Sequence, residues 1–165
     1  MRRGAMQHLM TLLILLLFAG VRARAQTVPP DKEALESAAG SGMALYADVN
    51  GYPGPKHVLE LRDSLKLTSA QERRIEEIIE RMRNRAAALG KRIIEQEQEL
   101  EALFSRHQAT ETEINRRTRA IGELRGDLRA VHLRAHLEAR GVLTQDQIDR
   151  YSSIRHGRMH KHGEH

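Results

Sequence analysis

The sequence predicts an all-α fold: a long antiparallel helical hairpin flanked by two short helices. Three observations carry that prediction. Residues 56–155 contain no proline and are dominated by Leu, Ile, Ala, Arg, Glu and Gln. Their apolar residues recur at heptad spacing, and no stretch alternates with period two for long. Helix-capping sequences stand just ahead of the apolar runs. The 165 residues allow one domain of ordinary size. The chain has no cysteine, which excludes a disulfide framework, thiol redox chemistry and cysteine zinc sites. Two Phe and three Tyr are its only aromatics, too few for a base-stacking nucleic-acid binder.

Residues 1–25 read as a secretory signal. Arg2 and Arg3 form the positive start, Leu9 to Val21 is apolar except for Thr11, and Ala23-Arg24-Ala25 supplies small residues before a cleavage point at Gln26. The apolar run is shorter than the ~20 residues needed to span a bilayer. Cleavage and release into the periplasm are expected, with an uncleaved inner-membrane anchor as the alternative because Arg22 and Arg24 flank the run. The formal charge of +5 and pI near 10.0 invite a nucleic-acid reading. Four of the 27 basic residues (Arg2, Arg3, Arg22, Arg24) and none of the 22 acidic ones precede Gln26, leaving 23 against 22. Near neutrality argues against nucleic acid as the partner. Residues 26–55 hold all four prolines and five Gly/Ser positions from Gly40 to Gly54, and read as a flexible linker.

Pro55 suits the first position of a helix carrying Val58, Leu59, Leu61 and Leu65. Thr68-Ser69-Ala70-Gln71 is a capping box that opens a helix reaching about Ser105. In it Ile75, Met82, Leu89, Gln96 and Leu103 fall seven apart, with Ile79, Ala86, Ile93 and Leu100 in the second seam position. Thr110-x-x-Glu113 reads as another capping box, opening a helix with Ile114, Ile121, Leu128 and Ala135 in one seam position and Leu124 and Val131 between them. Gly141 is placed to end that helix in a left-handed conformation. Leu143-Thr144-Gln145-Asp146-Gln147 opens the last helix, with Leu143 and Ile148 as a hydrophobic staple and Ile148, Tyr151 and Ile154 as its apolar face.

A linker of roughly five residues forces the two long helices antiparallel. Folding about Gln108 pairs Leu103 with Ile114, Ile93 with Leu124, Leu89 with Leu128, and Ala86 with Val131. The same register sets Glu95, Glu97, Glu99 and Glu101 beside Arg116, Arg117 and Arg119. Apolar residues off the seam remain: Ile78, Ile94, Phe104, Leu133 and Leu137. The flanking helices are expected to cover Leu133 and Leu137, and a second subunit the others, which makes the chain a homodimer.

Leu67-Thr68-Ser69-Ala70-Gln71 and Leu143-Thr144-Gln145-Asp146-Gln147 are one motif twice, LTxxQ, before and after the hairpin. A signal-bearing, cysteine-free helical chain with this pair resembles the Spy/CpxP family of periplasmic chaperone-like proteins. It is also similar to the related heavy-metal resistance proteins of the ZraP and CnrX type. The resemblance spans about residues 56–155. It implies an antiparallel dimer of bent hairpins shaped as a shallow cradle, ATP-independent binding of unfolded clients, metal binding, or restraint of an envelope stress-signalling partner. No catalytic constellation or phosphate loop stands in the sequence, so an enzyme is not expected. Client contact is expected from flexible cationic stems beside apolar groups: Arg116, Arg117, Arg119, Arg125, Arg129 and Arg134 with Ile78, Met82 and Ile94. The LTxxQ residues Leu67, Thr68, Gln71, Leu143, Thr144 and Gln147 read as caps.

Histidines raise a second possibility, Zn²⁺ or another divalent transition metal, although no cofactor is required. His132 and His136 stand at i and i+4 on one side of a helix, near Arg81 and Arg85 in the fold-back register, and His57 approaches the same end. The metal-sensing relatives imply ligands before each LTxxQ, but Leu61 and Arg140 stand where further ligands belong. The tail 156–165 carries His156, His160, His162 and His165 with Met159, a compositional chelator. The leading expectation is a chaperone-like envelope stress protein. The alternatives are a metal-binding sensor or resistance protein and a helical adaptor restraining a stress sensor.

Overall fold

The computed structural model describes Pro29, residues 31–38 and residues 42–161, with side chains through Arg155. The expected signal segment lies outside the described residues. Among the described residues seven helices follow one another: α1 Lys32–Glu36, α2 Leu45–Val49, α3 Pro55–Glu60, α4 Arg62–Leu65, α5 Ser69–Ser105, α6 Glu111–Val142 and α7 Gln145–Lys161. The all-α class and the long antiparallel pair, here α5 and α6, are as the sequence predicts. At ~1.5 Å per residue the pair makes a rod on the order of 50 Å long.

The capping box at Thr68 forms in full, the threonine side chain accepting from the Gln71 amide and the Gln71 side chain accepting from the Thr68 amide. At the tip, α5 ends with His107 in the left-handed region (φ 57), Gln108 N–H donating to the Leu103 carbonyl at 2.8 Å. Thr110 caps α6 through the Glu113 amide at 3.3 Å. The second half of that expected box is missing, because Glu113 turns its carboxylate to Arg116 at 2.7 Å instead.

The register agrees with the fold-back pairing. Arg117 pairs with Glu99 across the hairpin, Arg81 with Glu138 at 2.7 Å, and Gln71 reaches the Val142 carbonyl at 3.0 Å. The seam buries Ile75, Ile79, Ala86 and Ile93 against Ile121, Leu124, Leu128, Val131 and Ala135. Two apolar clusters result. One, at the closed base, joins Val58, Leu61 and Leu65 to Ile75, Ile78, Ala139, Leu143, Ile148 and Tyr151; the other, midway, contains Ala86, Ile93, Ile94, Leu124, Leu128 and Val131. Toward the tip Leu100, Leu103 and Ile114 are only half-buried, so the seam is tight at the base and looser at the turn.

Several expectations are corrected. The single first helix is two, broken at Leu61 (φ −103, ψ 12), which lets Val58, Leu61 and Leu65 all reach the base core. Gly141 does not end its helix in a left-handed conformation. α6 runs on to Val142 and passes into extended Leu143 (φ −92, ψ 149), because Leu143 must be buried and Thr144 must cap the next helix at once. Ile78 and Ile94, expected to face a second subunit, are buried within the chain, while Leu137 is 60% exposed rather than covered. Segments of the region read as a linker form α1 and α2 and pack on the hairpin. Leu35 of α1 is 2% exposed in the midway cluster, and Asp48 of α2 accepts from the Tyr151 hydroxyl at 2.5 Å and from Arg155 at 2.6 Å. The composition is that of a linker, but one leucine and two aspartates tie it down.

Candidate functional site

Three features converge on the hairpin: the paired LTxxQ segments at its base, a groove on its side, and a histidine-lined cavity between them. At the base, Thr144 repeats the cap of Thr68, accepting from the Gln147 amide at 3.3 Å while Gln147 Oε1 accepts from the Thr144 amide at 3.0 Å. The two glutamines then bind each other. Gln71 Nε2 donates to Gln147 Oε1 at 2.8 Å, and Gln147 Nε2 donates to Gln71 Oε1 at 3.1 Å. Their amides also reach the orphan carbonyls of Val142 (3.0 Å) and Leu65 (3.2 Å). Leu143 is buried in the base core and Leu67 packs against it. The motif is therefore a cap, a core anchor and a cross-link at once, and its repetition is what joins α4–α5 to α6–α7. Of the residues read as caps, Thr68, Gln71, Thr144 and Gln147 make the capping bonds, while Leu67 and Leu143 belong to the base core; the pairing of the two glutamines is not legible from either copy alone.

The groove lies along α5. Gly90 sits under α1 so closely that a Cβ there would collide with the Leu35 carbonyl oxygen and stand 3.1 Å from its carbon. Leu35 drops between Ala86, Ile93, Ile94 and the α6 residues Leu128 and Val131, with Met82 half-buried at the edge. Arg125 closes one side, its guanidinium 2.5 Å from Asp31 and 2.9 Å from Glu97. Hydrogen bonding from Arg125 is the main influence holding the Asp31 carboxyl below its ordinary range, and the same bond raises Arg125. Three residues expected to touch clients, Met82, Ile94 and Arg125, thus meet in one place, where the chain's own α1 covers them. Asp31, Leu35 and Gly90 were not singled out from the sequence. A lone glycine inside an otherwise strong helix former run was the available signal, since it costs helix stability unless something packs on it.

The cavity, about 500 Å³, is lined by His57, His132 and His136 together with Gly54, Met82 and Arg83. The structure brings together the three histidines that sequence spacing singled out within the helical domain. A Cβ on Gly54 would lie 3.2 Å from both His57 Nδ1 and His136 Cε1, so the glycine is what admits both rings. His136 Nδ1 donates to the Tyr52 carbonyl at 2.7 Å. His57 Nδ1 and His132 Nε2 are buried with no hydrogen-bond partner. Burial lowers the pKa of both, with Arg155 adding to the effect at His57 and His136 at His132, so both rings are neutral at neutral pH. Among the described residues no three His, Asp or Glu groups are arranged to hold a metal ion as they stand. The imidazoles share a cavity without meeting at one point.

The other expected contact residues spread along α6. Arg117 is mostly buried between Glu99 and Gln96, and Arg116 pairs with Glu113 of its own helix. Arg119, Arg129 and Arg134 are exposed. Ile78 belongs to the base core and offers no contact surface. The helix α7 extends to Lys161, through the positions of His156 and His160, so the first half of the tail continues a helix. His162 and His165 lie outside the described residues.

A rod of two long helices, closed at its base by a reciprocal Thr–Gln lock, defines a class of capped helical-hairpin proteins. Residues 55–155 match the model of the LTXXQ motif family protein, and the chain belongs to that family. Such proteins are generally non-enzymatic and typically periplasmic. Neither a curated protein nor a solved structure gives a significant match. Among the described residues, no helix is long and apolar enough to cross a membrane.

Proposed function

We propose that this chain is an ATP-independent, chaperone-like envelope protein that binds unfolded or partly folded segments on the side of its hairpin and works as a homodimer. One observation carries the reading. The hairpin side holds a piece of chain foreign to the hairpin, α1, through a leucine slot and an arginine, the two kinds of contact a holdase needs for amphipathic clients. Arg119, Arg129 and Arg134 are further exposed cations on the same helix as Arg125. Weak, adaptable contacts of this kind need no nucleotide, since client release follows from folding of the client itself. The test is light scattering from insulin as dithiothreitol reduces it, with the mature chain added and no ATP. The reductant leaves this cysteine-free protein untouched. Suppression near one chain per insulin supports the reading, and scattering unchanged at several-fold excess rejects it.

The histidine cavity favours a second reading, binding of Zn²⁺ or a similar divalent ion. Two buried imidazole nitrogens without partners are costly unless something occupies them. His57, His132 and His136 line one cavity with Met82 and are the nitrogen donors available there for such an ion. Calorimetric zinc titration of a variant with His156, His160, His162 and His165 replaced by serine tests it. Binding that persists there and vanishes on adding His57→Ala and His132→Ala supports a site in the fold; binding lost with the tail histidines alone rejects it.

A further inference from the structure

We propose that α1 is a built-in, replaceable occupant of the hairpin groove, and that the freed groove takes a short amphipathic peptide carrying a leucine one helical turn after a carboxylate. The inference rests on the chaperone-like reading and deepens it, naming both the regulation of the binding surface and the chemistry it selects.

α1 has little stability of its own. It is five residues long, and a helix that short does not persist alone in water. Its N-cap aspartate, a residue suited to capping, makes no side-chain cap bond; Asp31 spends its carboxylate on Arg125 instead. Directly after α1, Ala38 is held at φ 51, a conformation alanine avoids. The helix is therefore shaped by the groove rather than by its own sequence.

The groove survives the departure of α1. Arg125 keeps Glu97 as a partner at 2.9 Å, so its guanidinium stays in place to meet another carboxylate. The floor is made by α5 and α6, whose register is fixed elsewhere by Arg117–Glu99, Arg81–Glu138 and the glutamine pair. Gly90 gives the specificity, because only a bare Cα lets the backbone of the incoming helix lie against α5. What α1 shows the groove to accept is a leucine four residues after an aspartate, with exposed polar residues (Glu33, Glu36) on the outer side. Tethering through residues 42–55, themselves clamped by Asp48, keeps α1 at an effective concentration on the order of millimolar, so that it competes with any client in trans.

The probe is a fluorescein-labelled peptide of residues 29–37, titrated by anisotropy into the full mature chain. Leu35→Asp in the protein empties the slot while leaving its walls intact, and the peptide is expected to bind at least about tenfold more tightly than to the wild type. Asp31→Arg, at a half-exposed position, is a second release variant that turns α1 against Arg125 and is expected to act in the same direction. A peptide with its own leucine replaced by Asp is expected not to bind. Adding Gly90→Ala to Leu35→Asp is expected to abolish the gain, since the new methyl group fills the site of the peptide backbone. Equal peptide affinity in wild type, Leu35→Asp and Asp31→Arg overturns the proposal, as does a gain that survives Gly90→Ala. The insulin assay keeps the two readings apart. A peptide gain without insulin protection leaves the groove standing and rejects the chaperone role, whereas protection equal in all variants with no peptide gain rejects the occupant.

Discussion

Gln71 does more than cap a helix. Its oxygen accepts from the Thr68 amide and from Gln147, and its nitrogen donates to Gln147 and to the Val142 carbonyl. Gln71→Ala removes the return half of the cap and leaves the half-buried Val142 carbonyl without its donor, while Gln147 keeps the Thr144 amide and the Leu65 carbonyl. A lost cap typically costs about 1 kcal/mol and an unsatisfied buried group about another 1 kcal/mol, so a destabilisation of about 2 kcal/mol is expected in urea unfolding. Because Gln147 depends on the same bonds, the Gln71→Ala/Gln147→Ala double variant is expected to cost clearly less than the two single losses together. Strict additivity would show that the glutamines are independent caps. His132 is the opposite case, a residue that costs the fold stability. It sits 5% exposed in the seam with Nε2 unpartnered, so His132→Leu is expected to stabilise the chain by about 1 kcal/mol while weakening any metal binding. The sign of its pH dependence follows from burial. The folded ring titrates below the ordinary 6.5, so the unfolded chain takes the proton first. Wild-type stability is therefore full above pH 6.5 and declines as pH falls through the folded value, and in His132→Leu that contribution is absent.

At the scale of elements, the long helices were legible because heptad spacing, caps and charge all specify one register, and each is a local signal. What was not legible depended on contacts distant in sequence. The arm 31–55 has the composition of a linker, and what makes it structured is distant in sequence: Leu35 in the midway cluster, Asp31 on Arg125, and Asp48 against Tyr151 and Arg155. The histidines were legible as a set because two share a helix face, but Gly54, which lets His57 and His136 approach, has no signature in sequence. A heptad pattern sees only two helices and so sets Ile78 and Ile94 outward, while α1, α3 and α4 cover them from outside that pattern. The Asp48 latch has its own consequence. Burial opposes its ionisation, but the Tyr151 hydroxyl and Arg155 outweigh burial and hold its pKa below 3.8. Asp48→Ala leaves a fully buried tyrosine hydroxyl without an acceptor and is expected to cost about 2 kcal/mol at neutral pH. The depressed carboxyl contributes its stability above pH 3.8 and loses it as pH falls through the folded value. The gap between wild type and Asp48→Ala in thermal melts is thus expected to narrow in that acidic window. A gap independent of pH would mean that the latch does not act through the ionised carboxylate.

For the whole molecule, the question left by the single chain is what covers the outer face of α6. The inner face is used fully, from Ile121 through Ala139. On the outer face Leu137 is 60% exposed and Leu133 half-buried, and toward the tip Gly122 and Gly126 have open space where a Cβ would stand. Leucines at one end and glycines at the other give a helix that another helix can approach closely, and an antiparallel second copy would set the leucines of each chain over the glycines of the other. That arrangement is self-complementary, as a two-fold interface must be. It also leaves the α1 groove free, because Leu35 of α1 packs over Gly90 of α5, away from the outer face of α6. Leu137→Lys places a charge on the expected interface without touching the core. Burying a leucine is worth about 2 kcal/mol, so each dimer loses two such contributions and its dissociation constant is expected to rise by at least about a hundredfold. Sedimentation velocity across a concentration series reads the change, and circular dichroism is expected to show unchanged helicity. A wild-type chain that sediments as a monomer throughout, or a Leu137→Lys dimer as tight as the wild type, would place the interface elsewhere and return α6's outer face to client binding.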